Sequence, residues 1–165
     1  ASDVYKRQLL FCAIPITRDA HFYFVHRLLH YRWLYHTVHQ LHHKNKDIGP
    51  WSGMSMHPIE HILYFSGALL HWILLSHPLH VIFHVQATGL TPAMGHVGYH
   101  KWMKKDGSGA SIGQRYFHYL HHRYFECNYG GDGTVPLDKW FGTWHDGTSE
   151  SHAIMRDRRK QAHGV

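Results

Sequence analysis

The spacing of the histidines constrains this chain more than any other feature. His26-Arg27-Leu28-Leu29-His30 and His96-Val97-Gly98-Tyr99-His100 are HxxxH pairs, and His39-Gln40-Leu41-His42-His43 and His118-Tyr119-Leu120-His121-His122 are HxxHH triplets. On a helix, positions i, i+3 and i+4 share one face, so each cluster can present its imidazoles together. These four clusters hold ten of the 21 histidines in 165 residues. A lone HxxxH pair arises easily in so histidine-rich a chain, and the repeated triplet carries the inference. Imidazole is a borderline ligand that suits iron, zinc, copper or nickel. Ten such ligands exceed the four of a closed zinc site and predict two metal ions, each with about five nitrogens and one position open to oxygen or water. Open positions point to catalysis rather than scaffolding.

Other residues offer themselves less clearly. His57 and His61 have HxxxH spacing with Pro58 between them, and are read as further ligands or as hydrogen-bonding support for a ligand's free ring nitrogen. Asp19 stands seven residues before His26, on nearly the same helical face, as an acceptor for a ligand N–H or as a helix N-cap. No Glu-x-x-His pair of the carboxylate-bundle type is present. The two cysteines, Cys12 and Cys127, form no CxxC motif, which argues against a disulfide framework and against thiolate zinc.

Ile62 to Leu90 is a 29-residue stretch without Asp, Glu, Lys or Arg, longer than the roughly 20 residues of one membrane crossing. Ser76-His77-Pro78 sits near its middle, and proline suits a helix start, so residues 62–91 are read as an apolar hairpin, with one tilted span as the alternative. Leu9 to Leu34 is patterned as helix, interrupted at Pro15 and restarted at Asp19. Histidine-rich helical stretches are expected at about 21–46 and 93–126, an ordered loop after Tyr129, and a frayed basic tail over 149–165. Residues 1–8 (ASDVYKRQ) read as a non-native leader on a chain truncated at its N-terminus, leaving 9–148 as the domain. The net charge of +6 falls in small groups (Lys44 and Lys46; Lys101, Lys104 and Lys105; Arg156 to Lys160). Such groups flank the apolar stretches as cytoplasmic juxtamembrane segments do, and form no stripe for nucleic acid.

Several of these elements resemble the fatty acid hydroxylase / sterol desaturase family. The resemblance rests on Asp19 to His30 (DAHFYFVHRLLH), His39 to His43 (HQLHH) and His118 to His122 (HYLHH). Asn128-Tyr129-Gly130 and Asp138 to Thr143 (DKWFGT) are similar to the family's NYG and D-x-x-FGT tail. It covers about residues 16–148, and the tail separates it from acyl-CoA desaturases. The resemblance implies an all-α membrane protein whose histidine-bearing helices cap the embedded part on the cytoplasmic side of the endoplasmic reticulum. It implies two iron ions ligated by His26, His30, His39, His42, His43, His96, His100, His118, His121 and His122. Molecular oxygen would be co-substrate, and a donor such as cytochrome b5 or a reductase would supply electrons. The expected reaction is hydroxylation or desaturation of a fatty acyl, sphingoid or sterol lipid. The competing readings are a zinc-dependent membrane hydrolase, for which Glu60 and Glu126 are the nearest candidate bases, and a non-catalytic metal-binding membrane protein. Neutral histidines would also take zinc in vitro.

Overall fold

A single helix, α1, runs from Ser2 to Leu29 and passes through Pro15 without a break. The computed structural model describes residues 2–46, 48–74, 76–97, 101–103, 109–112, 114–131 and 133–163. The expected interruption at Pro15 and restart at Asp19 do not occur. Proline deletes one backbone bond, the Thr17 hydroxyl donates to the Ala13 and Ile14 carbonyls beside it, and buried Ile14, Tyr23 and Leu29 fasten the helix on both sides. From Ser2 onward the polar octapeptide belongs to this helix, and the Arg7 carbonyl lies 3.0 Å from His80 Nε2.

After a sharp turn at His30 and Tyr31 the chain winds through α2 (Arg32–Leu34), a π-helical turn (Tyr35–His39) and α3 (Gln40–His43). A 3-10 turn over Pro50–Met54 then leads to α4 (Pro58–Phe65), a second 3-10 turn (Ser66–Leu69) and α5 (Leu70–Ile73). The apolar stretch breaks before Pro78, where α6 (Pro78–Gly95) begins and folds back. Two His-Pro pairs start α4 and α6 by the same device. The Nδ1 atoms of His57 and His77 accept the backbone N–H groups of Ile59 and Leu79, each at 3.2 Å, with proline at the first helical position. His71 Nε2 and His84 Nδ1 meet at 3.0 Å between the arms, while Ile62, Trp72, Ile73, Leu79 and Leu90 stand exposed on the outside. Among the described residues no helix is both long and apolar enough to cross a membrane.

Among the described residues the regular structure is helical apart from one short antiparallel ladder, Lys101–Met103 (β1) with Gly109–Ile112 (β2). This hairpin divides the stretch expected to be helical over 93–126: α6 ends at Gly95, and α7 spans Gln114–Tyr124. The tail is not frayed. After α8 (Leu137–Trp140), residues Ser149–His163 form α9, held by buried Met155 and by a 2.8 Å contact between the Tyr124 hydroxyl and His152 Nδ1. Around Tyr23, Leu29, Val38 and Leu120 the buried centre is lined largely with histidine.

Candidate metal centre

Nine of the ten cluster histidines converge in two adjoining groups. The first holds His26, His30, His39, His43 and His121, and the second His42, His96, His118 and His122; within each, the ligand atoms lie within 4.8 Å of one another. His100 lies outside the described residues. His26 sits in the last turn of α1 and His30 just beyond it. The π-helical turn and α3 supply His39, His42 and His43, His96 caps the end of α6, and α7 supplies the remaining three. A π-turn shifts side-chain register by one position inside a helix, and here it ends on His39.

Each triplet is shared between the groups. His39 and His43 join the first group while His42 joins the second; His118 and His122 join the second while His121 joins the first. The groups meet closely, with the His43 and His122 rings 4.6 Å apart.

Hydrogen bonds on the far side of the rings fix which nitrogen is free. The Nδ1–H groups of His26, His96 and His121 donate to the carbonyls of Tyr129, Pro92 and Cys127 at 2.6, 2.6 and 2.7 Å, and that of His42 to Ser55 at 3.3 Å. A carbonyl only accepts, so each of these rings carries its proton on Nδ1 and a lone pair on Nε2. His42 and His96 nevertheless bring Nε2 to within 3.3 Å of Nε2. Neither atom has a proton to offer, and two lone pairs at that distance need a cation between them. His26 and His39 are similarly placed at 3.1 Å, with His39 Nδ1–H donating to Glu60 Oε1 at 2.8 Å. Burial, followed by the neighbouring imidazoles, pushes the pKa of His26, His30, His42, His118 and His121 well below the usual histidine value. Burial lowers His39 to about 3. The set is therefore neutral, as ligation requires, and its all-nitrogen, two-group composition fits a pair of imidazole-binding metals such as iron.

The tail motif holds part of this arrangement. The Asp138 carboxylate accepts the backbone N–H groups of Tyr129 and Gly130 at 2.9 and 2.8 Å and the Thr143 hydroxyl at 2.6 Å. Asn128, at φ 51°, bonds the His145 backbone in both directions. This clamp fixes the loop whose Tyr129 carbonyl orients His26.

The weaker sequence candidates are elsewhere. Asp19, expected to accept a ligand N–H, instead accepts the Thr134 backbone N–H and hydroxyl at 2.8 and 2.6 Å and pairs with Arg18. It ties α1 to the loop after Gly133. His57 is occupied as the N-cap of α4, and His61 falls in neither group. The residue between them, Glu60, is the carboxylate that supports a ligand. It is 3% exposed, and burial pushes its carboxyl up to about 8 against the opposing pull of His61 and the His57 backbone N–H. Its sequence signal was faint: a lone acid at the edge of an apolar stretch, with no basic partner along the helix.

A cavity of about 350 Å³ opens against both groups. His26, His39, His42, His96 and His118 form one wall; Phe22, Val25, Leu29, Met56, Tyr64 and Met94 supply apolar surface, with Arg18, Asp19 and Thr91 among its polar lining.

Comparison with known proteins agrees with this architecture. The chain is 30% identical over 129 residues to a protein of Dictyostelium discoideum named as a methylsterol monooxygenase, covering 78% of this chain and 47% of that protein. It is 30% identical over 139 residues to the Delta(7)-sterol-C5(6)-desaturase of Nicotiana tabacum (81% and 48%), and 32% identical over 133 residues to methylsterol monooxygenase 2-2 of Arabidopsis thaliana (78% and 49%). The chain thus spans about half the length of these curated relatives. No solved structure matches it. Residues 11–143 match the profile of the fatty acid hydroxylase family, and the chain belongs to that family.

Proposed function

We propose that this chain carries the catalytic metal centre of an oxygen-dependent lipid oxidoreductase with two iron ions, acting on a sterol or a similar lipid by hydroxylation or desaturation. The observation that carries this reading is the pair of buried, neutral, all-histidine groups beside a cavity with an apolar wall. Unactivated C–H bonds carry no acidic proton, so side-chain acid–base chemistry alone does not break them. Iron bound to the histidines supplies the activation of oxygen that such a bond requires. The protein's part is to fix the ring tautomers, exclude water from the buried groups and hold an apolar substrate against the histidine wall. Relatives named as sterol desaturases and methylsterol monooxygenases support the lipid class.

In this reading the apolar hairpin lies in the endoplasmic reticulum membrane and the metal centre faces the cytoplasm. A cytochrome b5-type donor or a reductase delivers the electrons. The charge-free surface of Ile62, Trp72, Ile73 and Leu79 suits contact with lipid. Anaerobic iron loading of detergent-purified chain is the test, with His39→Ala/His42→Ala/His43→Ala as control. About two irons per chain, lost in the triple variant, followed by oxygen- and reductant-dependent sterol oxidation, is the expected result. Zinc retained with no uptake of iron would overturn the reading in favour of a hydrolytic or non-catalytic site.

A further inference from the structure

The cavity beside the histidine wall has a polar end. Arg18 and Asp19 pair there, with Nε and Nη2 of Arg18 on Asp19 Oδ1 at 3.2 and 2.8 Å and Nη1 on the Thr91 hydroxyl at 2.9 Å. Asp19 Oδ2 accepts the Thr134 backbone N–H and hydroxyl, and the Thr91 hydroxyl donates to the Ala87 carbonyl at 2.6 Å. These groups satisfy one another. The Tyr64 hydroxyl does not join them. Arg18 and Asp19 are the charges that act on it, yet among the described residues it has no hydrogen-bond partner. The unpaired side-chain atoms sealed from solvent among these residues are His43 Nδ1, Glu60 Oε2, His122 Nδ1 and His145 Nε2. The Tyr64 hydroxyl is unpaired but not sealed, and because Tyr64 is only 8% exposed and lines the cavity, it is reached from there. Phe22 fills the interval to the ligands, its ring centroid 5.5 Å from that of Tyr64 and 4.9 Å from that of His26.

We propose that Tyr64 is a specificity-determining residue, whose hydroxyl anchors the neutral hydroxyl group of a lipid alcohol one aromatic side chain away from the histidine wall. This rests on the lipid oxidoreductase reading above. A phenol both donates and accepts, so a lipid hydroxyl meets it in either role. A hydrocarbon end would cover the phenol and leave its O–H unpaired, which is costly. An anionic end gains little, because each nitrogen of Arg18 is already bonded and the Asp19 carboxylate beside it cancels its charge. An ammonium gains no more, since both Asp19 oxygens are taken. Phe22, Val25 and Met94 leave the rest of the space to hydrocarbon. The site therefore selects an uncharged alcohol with an apolar body over an acid, an amine or a bare hydrocarbon.

The full chain, loaded with redox-inert zinc in detergent, tests this by binding alone. A fluorescent sterol alcohol is displaced by three matched sterols, the 3-hydroxy compound, its 3-deoxy counterpart and its 3-sulfate, in the wild type and in Tyr64→Phe, with bound zinc measured in each. Wild type is expected to favour the alcohol by about tenfold or more over both analogues. Tyr64→Phe keeps the ring against Phe22 and removes only the hydroxyl, so the alcohol should fall to the affinity of the deoxy sterol while zinc content is kept. The lipid-free variant should melt no lower than wild type, because no protein partner loses a hydrogen bond. Equal binding of alcohol and deoxy sterol by the wild type, tightest binding of the sulfate, or an alcohol preference retained in Tyr64→Phe would overturn the assignment and leave the lipid reading standing. A clearly lowered melt of Tyr64→Phe would overturn it too, by showing that the hydroxyl is already bonded within the protein. Absence of saturable binding by sterols and acyl lipids alike, with zinc in place, would sink both.

Discussion

His39 and His42 stand three residues apart in one motif yet fall in different histidine groups. His39 Nε2 lies 3.0 Å from His43 Nε2 and 3.1 Å from His26 Nε2 in the first group, while His42 Nε2 lies 3.3 Å from His96 Nε2 in the second. His121 crosses over in the same way between His118 and His122. The two triplets therefore cross-link the groups, and neither group belongs to a single helix.

Single substitutions should separate the two metals. His42→Ala removes a ligand from the second group alone, and metal analysis after reconstitution should find about one ion per chain in place of two. His43→Ala should spare the second group and empty the first. Complete loss of metal in both variants would mean that the groups bind only as a unit.

Gly53 marks a backbone approach that no side chain tolerates. Any Cβ there would overlap the Pro92 carbonyl group and come to 2.8 Å from His96 Nδ1. Because the Pro92 carbonyl accepts the His96 N–H, Gly53→Ala should cost about 1–3 kcal/mol of stability and weaken metal at the second group more than at the first. A thermal melt read together with metal content checks this, and a melt unchanged from wild type would contradict it.

Asp138→Asn should loosen the first group from a distance. The new NH₂ cannot accept one of the two backbone N–H groups now bound by the carboxylate, leaving a buried donor unpaired at a cost of about 1–3 kcal/mol. The displaced Tyr129 carbonyl then holds His26 less firmly, and loss of such support typically lowers metal affinity about 10–100-fold. Competition with a chelator, comparing this variant with wild type, gives the measurement.

Acid should unfold the metal-free chain early. The buried histidines have folded-state pKa values below the unfolded value of about 6.5, so below that pH the unfolded chain takes up protons the folded chain refuses. Stability is therefore full above about pH 6.5 and falls as pH drops through the window toward the folded-state values. Bound metal holds the rings neutral and delays the loss. Melting temperatures from pH 7.5 down to 5, with chelator and with zinc, should diverge as pH falls; parallel curves would count against a buried neutral cluster.

The histidine spacing alone marked out the candidate ligands, nine of which lie in the two groups, because periodicity on a helix is a local property that the sequence carries directly. The His-Pro starts of α4 and α6 are local in the same sense, and Pro78 marks the break in the apolar stretch. Only the tertiary structure decided how the ligands divide five and four among the described residues, since that depends on how α1, α3, α6 and α7 approach one another. The same holds for Glu60 and for the carbonyls of Ser55, Pro92, Cys127 and Tyr129, which reach the rings from other parts of the chain. Backbone carbonyls are chemically alike at every residue, so nothing in the sequence distinguishes the four that orient a ligand. Asp19 shows the reverse: helical spacing put it near His26, but its carboxylate is taken by Thr134, 115 residues away. Local pattern specifies which side chains can ligate, and the packing of distant segments specifies which nitrogen each one offers and in which group.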